Sequence, residues 1–261
     1  MTFRSRFGSW QRWGAVVAMA LLLASCTAVD PPTEVGSVDA PQEDSAQVAD
    51  VTAPSDAASE TASELTAGLP RLNGKATVEI MVGNKPITVE VDGDKAPYTA
   101  GNFVDLAQKG VYDGTIFHRV IDGFVAQGGD PLSADPNVPV NQLGVGNYID
   151  PDTKEVRSIP LEILPEGADE PVYGSTFDDI GLDAAPQLSH KKGAIAMARA
   201  DVNTASAQFY ITLADVSDPL DGKYAVFGYV TDGMDVVDNI QLEDVITSVK
   251  VTSGGENLVQ P

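Results

Sequence analysis

From residue 70 onward, apolar positions fall in short runs broken by glycines and small polar residues. Residues 76–82 (ATVEIMV) and 87–91 (ITVEV) are β-rich and flank Gly83-Asn84, which predicts a hairpin. The stretch 96–110 (APYTAGNFVDLAQKG) instead groups Phe103, Val104, Leu106 and Ala107, with Gly110 just beyond. That is the pattern of a short amphipathic helix closed by a C-terminal glycine. Further strands are predicted at 116–121, 124–127, 194–198, 209–213, 225–229 and 244–251, and a second helix at 234–240. Many short strands with two helices indicate a mainly β protein, an antiparallel barrel closed or nearly so. A long Pro/Gly/Asp-rich excursion with little periodicity runs between 130 and 173. Loops of that length are usually functional or disordered.

The run IFHRVIDGFVAQGGD (116–130) sets an arginine inside strand-forming apolar residues. Period-two alternation places Arg119 on the face of Phe117 and Ile121, both core candidates. Arginine is almost never buried without a partner. Two readings are open from these residues: a snorkelling barrel residue paired with an acid, or a group with a chemical task. A strict two-residue turn at Asp122-Gly123 would set Arg119 opposite Ala126, away from Val125 and Gln127. Sharing a face with those two requires a bulge or a longer loop.

Composition narrows the partners. The 261 residues are 43% apolar with a net charge of −22, which argues against a nucleic-acid or anionic-membrane surface. With two histidines and one cysteine, a structural zinc site is not expected. There is no phosphate-binding glycine loop and no Gly-x-Ser-x-Gly elbow.

The N-terminus has a different character. Arg4, Arg6 and Arg12 precede an apolar run over 14–24, then Leu23-Ala24-Ser25-Cys26. A basic start, a short apolar core and small residues describe a secretory signal peptide, residues 1–25. The run is too short to span a bilayer, which takes about 20 residues. Leu-Ala-Ser-Cys also resembles a bacterial lipobox, in which Cys26 is diacylated and becomes the mature N-terminus; an ordinary signal peptide with an incidental cysteine is the other reading. From 27 to 69 there is no aromatic residue, lysine or arginine. Such a segment cannot offset its ordering entropy by burial, so 26–69 reads as a disordered acidic tether.

Three blocks then carry a family resemblance: FHRVIDGFVAQGGD (117–130), GAIAMARADVNTASAQFYIT (193–212) and LDGKYAVFGYV (220–230). In order and spacing they resemble the signature blocks of the cyclophilins, peptidyl-prolyl cis-trans isomerases. The resemblance covers 70–261 with an insertion at 131–172, and implies a closed eight-stranded antiparallel barrel capped by two α-helices. RSIPLEILPEG, PVYG and GGENLVQP are most similar to cyanobacterial and chloroplast-lumen members. It implies Arg119 as the catalytic group, with Phe124, Val125, Tyr210 and Leu220 forming the proline pocket. Gln127 would fix the substrate backbone, Ala198 and Arg199 would pair with it through their main chain, and Gln208 would support Arg119. His118 and Tyr224 would stand beside the site. No cofactor and no metal are implied.

The partners expected are proline-containing segments of client proteins and a membrane reached through Cys26, with no nucleic acid and a monomeric state. The expected location is outside the cytoplasm, lipid-anchored on the periplasmic or lumenal face of a bacterial membrane. The sequence departs from the family at Val125 (usually methionine), Pro219 (often tryptophan), Tyr210 (phenylalanine) and Tyr224 (histidine). The expected function is isomerisation assisting exported or membrane-associated proteins. The alternative is a low-activity proline-peptide binding module or assembly factor.

Overall fold

A computed structural model describes residues 56–261. The expected signal segment, Cys26 and most of the expected tether lie outside the described residues. The last part of that stretch is helical rather than disordered: Asp56–Thr66 form helix α1. Its alanines, glutamates and leucine are good helix formers, and Gly68 (φ 72°) lies just beyond its end.

Among the strands that follow, eight belong to the main sheet: β1 Lys75–Val82, β2 Lys85–Asp92, β3 Phe117–Ile121, β4 Val125–Gly128, β5 Ala194–Met197, β6 Phe209–Thr212, β7 Val226–Asp232 and β8 Ile246–Ser253. They build one antiparallel sheet in the order β8-β1-β2-β7-β5-β6-β4-β3. The expected barrel is not closed. Its edge strands β3 and β8 share no ladder and meet at one corner, through the bridge Ile116–Val245 and bonds such as Phe117 N–H to Asp244 O at 2.9 Å. The physical reason is that β3 is short and bulges at His118, so it peels away from β8.

Helix α2, Pro97–Gln108, fills the hollow of the sheet. Proline at its start and Gly110 (φ 68°) beyond its end match the predicted limits. Phe103 packs against Tyr112, Phe209 and Phe227 with ring centroids 5.0–5.4 Å apart. The cap residue Ala96 offers no side-chain acceptor to the helix. Buried Glu162, from the insertion, supplies it instead and accepts the N–H groups of Tyr98 (3.2 Å) and Thr99 (2.7 Å). Burial pushes its carboxyl up.

The second predicted helix is a single turn, α4 at Met234–Val237, preceded by another turn, α3, at Ser217–Leu220. After Val237 the backbone tightens to three-residue spacing, with Asn239 and Ile240 N–H bonding Val236 and Val237 O. Val237 and Ile240 nevertheless reach the core, as the apolar pattern requires.

The central strands are buried on both faces. Ile195, Met197, Phe209 and Ile211 face α2, while Ala194, Ala196 and Tyr210 join Val125 and Val226 in a second cluster on the other face. That second face carries the candidate site.

Candidate active site

The β3–β4 hairpin positions the arginine. Its loop has three residues, Asp122-Gly123-Phe124, closed by Phe124 N–H to Ile121 O at 3.0 Å with Gly123 at φ 67°. Arg119 therefore stands directly opposite Gln127, and Ile121 opposite Val125. The bulge at His118 changes the facing predicted for Phe117. Phe117 pairs with Gly128 and points into the core, whereas Arg119 pairs with Gln127 and points to the outer cleft. Ile121, expected in the core, is 41% exposed.

Arg119 is exposed rather than buried and makes no ion pair among the described residues. Its Nη1 donates to Gln127 Oε1 at 3.3 Å, and its guanidinium lies 5.9 Å from the Phe124 ring centroid. Gln127 Nε2 donates to Gln208 Oε1 at 3.1 Å, and Gln208 Nε2 to Gly146 O at 2.9 Å. Gln208 thus supports Arg119 through Gln127, not by direct contact.

A cleft of about 560 Å³ opens beside this chain of amides. It brings together ten of the residues singled out in the sequence: Arg119, Phe124, Val125, Gln127, Ala198, Arg199, Gln208, Tyr210, Leu220 and Tyr224. His118 is not among its lining residues. It lies 9% exposed beneath the excursion near Gly144, and neither ring nitrogen has a well-formed hydrogen bond. Pro219 is exposed on α3.

Sequence reasoning missed the wall given by Gly144, Val145 and Asn147 from the excursion. Buried Asp130 holds that wall, accepting N–H bonds from Leu132 (2.9 Å), Gly144 (2.6 Å) and Gly146 (3.1 Å). A Cβ at Gly146 would fall 1.8 Å from Asp130 Oδ1, so only glycine fits. Asp130 closes the first signature block, but nothing in the sequence shows which distant amides it serves.

The Tyr210 hydroxyl also finds a partner the sequence left unnamed. His190 is fully buried, with Nδ1 2.7 Å from Asp221 Oδ1 and Nε2 2.9 Å from the tyrosine oxygen. The carboxylate accepts from Nδ1–H, so Nε2 keeps its lone pair and accepts the tyrosine O–H. This fixes the ring at the pocket floor with its hydroxyl turned toward the histidine. Burial pushes the Tyr210 phenol well up.

Burial holds both histidines below their ordinary value of 6.5, against the smaller opposing pull of Asp130 on His118 and of Asp221 on His190. With two histidines in the chain, a proton NMR titration of the ring resonances reads both. Both midpoints are expected below 6.5; a His190 midpoint above it would contradict this account. A histidine kept neutral on folding contributes stability that is present above about 6.5 and is lost as the pH falls through its folded value.

An antiparallel sheet thus carries on its outer face an open cleft in which an apolar pocket lies beside a hydrogen-bonded arginine. The chain belongs to the cyclophilin-type peptidyl-prolyl cis-trans isomerase family, whose model matches residues 77–255. It is 45% identical over 204 residues to a Synechocystis protein whose name places it in the thylakoid lumen as a peptidyl-prolyl cis-trans isomerase, covering 74% of this chain and 51% of that protein. It is 39% identical over 211 residues to the chloroplastic peptidyl-prolyl cis-trans isomerase CYP38 of Arabidopsis thaliana, covering 74% and 46%. The chain thus spans about half the length of these two relatives. A crystal structure of a Cryptosporidium parvum cyclophilin-type isomerase superposes with a TM-score of 0.51 at 25% identity, covering 69% of this chain and 98% of that one.

Proposed function

We propose that this protein is a peptidyl-prolyl cis-trans isomerase acting on exported or membrane-associated proteins. The observation that carries the reading is Arg119, held by Gln127 beside the apolar surface of Phe124, Val125, Tyr210 and Leu220. The barrier to X–Pro rotation, about 18–20 kcal/mol, comes from amide resonance. Twisting the bond pyramidalises the prolyl nitrogen and frees its lone pair. A guanidinium N–H aimed at that lone pair is bonded better in the twisted state than in the planar one, which is differential binding of the transition state. No bond is made or broken, so no nucleophile or metal is required. A peptide seated over Arg119 displaces the water that reaches it in the empty cleft, which strengthens the interaction.

The test is isomerisation of an Ala-Pro peptide by the detergent-solubilised full chain, followed by NMR exchange. Binding without accelerated exchange would favour the alternative of a binding module.

We further propose that Cys26 carries the lipid anchor and that the isomerase works outside the cytoplasm. The Leu23-Ala24-Ser25 run before it supports this, as do the lumenal and chloroplast names of two relatives. Two acyl chains anchor stably where one is marginal. Among the described residues no helix is long and apolar enough to cross a membrane. Mass spectrometry of the membrane-extracted protein is expected to show an acylated N-terminal cysteine, and Cys26→Ser to leave the membrane fraction. An unmodified N-terminus beginning elsewhere would refute the anchor.

A further inference from the structure

The cleft is lined by two guanidiniums and no carboxylate, in a chain with 38 Asp and Glu against 16 Lys and Arg. Some cations of the domain find acids, Arg157 reaching Asp105 and Asp150, Lys109 reaching Asp105, and Lys75 reaching Glu90, whereas Arg71, Lys85 and Lys250 do not among the described residues. Arg119 and Arg199 have no ion pair within 4.0 Å among the described residues.

Arg199 is the less expected of the two, because its side chain has no part in twisting the amide. It is held in place all the same. Its Nη2 donates to Lys223 O at 2.6 Å, and its plane sits 4.6 Å from the Tyr224 ring centroid. Its Nε is buried and has no hydrogen-bond partner among the described residues. Asp179 feels the Arg199 charge, but its larger partner is Thr176 and it forms no ion pair with Arg199 within 4.0 Å among the described residues. Asp179 accepts from the Thr176 N–H (3.1 Å) and hydroxyl (2.7 Å), and Asp201 accepts from Val202 N–H at 2.8 Å. A half-buried, immobilised cation that lines the cleft without a paired acid is a ready site for an incoming carboxylate.

We infer that Arg199 is a specificity determinant of the cleft, selecting proline segments that carry an aspartate or glutamate within two residues of the proline. The inference rests on the cleft being the proline-peptide site. Tyr224 packs edge-on against Tyr210, the pocket floor, with centroids 6.2 Å apart. The guanidinium therefore lies at most about 11 Å from the Tyr210 ring, and an extended chain advancing about 3.3 Å per residue brings a carboxylate there from a neighbouring position. Arg119, which lines the same cleft, adds to the positive potential that an acidic peptide meets.

The test uses the detergent-solubilised full chain and short Ala-Pro peptides bearing Glu, Gln or Lys at each of the two positions on either side of the proline. Affinity is read by NMR shift titration and isomerisation by exchange on the same samples. At one position or more, Glu is expected to bind roughly fivefold tighter than Gln, with Lys weaker still. The difference should shrink between about 0.05 and 0.5 M salt. It should collapse toward unity in Arg199→Gln, whatever that variant's absolute affinity. Equal affinities at all four positions would overturn the inference. So would a Glu preference that survives in Arg199→Gln or is lost only in Arg119→Gln. Because affinity is read separately from exchange, a protein that binds these peptides without isomerising them defeats the catalytic reading and leaves the selectivity measurable.

Discussion

Arg119→Ala is expected to lower turnover of an Ala-Pro peptide roughly 100-fold, about 2.7 kcal/mol of barrier. Peptide affinity should fall by less than about fivefold, the signature of an interaction made mainly in the transition state. Folding should survive, since Arg119 is exposed and its one side-chain hydrogen bond among the described residues, to Gln127, is 3.3 Å long. A thermal midpoint near that of the parent checks this. Arg119→Lys should rescue little, because a point charge on a flexible stem lacks the rigid fork of donors. Unchanged turnover in folded Arg119→Ala would make the arginine a surface residue and favour a binding module.

Asp130→Ala is expected to produce the largest loss of stability among changes near the cleft. Its carboxylate accepts three main-chain N–H bonds, from Leu132, Gly144 and Gly146. A buried donor left unpaired costs about 1–3 kcal/mol. Water can reach exposed Gly144, so a total of roughly 3–5 kcal/mol is expected, lowering the thermal midpoint by about 10 °C. Activity should suffer as well. The 144–147 wall loses its anchor, Gln208 loses the Gly146 carbonyl, and the support reaching Arg119 through Gln127 loosens. Asp130→Asn keeps one acceptor oxygen and should be intermediate. Gly146→Ala is an independent check, since its methyl would collide with the same carboxylate. A midpoint unchanged in Asp130→Ala would show that the wall is held by something else.

Local periodicity explains what could be read in the sequence. The β1–β2 hairpin and α2 follow from alternation, a glycine turn and a closing glycine, all set by near neighbours. The two-faced burial of β5 and β6 is consistent with their nearly unbroken apolar runs. The bulge at His118 was not legible, because Phe117-His118-Arg119 reads equally well as regular alternation; the need for a bulge or longer loop at the hairpin was. The excursion's wall and the His190–Tyr210 contact depend on residues far apart in the chain, which no window of sequence exposes. A buried tyrosine where the family usually has phenylalanine did show that some hydrogen-bond partner had to exist.

The order of the strands bears on when the sheet can be completed. β1 borders β8, so Lys75–Val82 waits for Ile246–Ser253, and Arg71–Leu72 pairs with Leu258–Val259 near the very end. The first turn of α2 waits in the same way for Glu162. A chain that emerges N-terminus first can pair its other strands but cannot cover the outer edge of β1, or pair Arg71–Leu72, until residues 246–259 have followed. If the chain is exported as proposed, the sheet is completed only on the far side, once both edges of this seam are present.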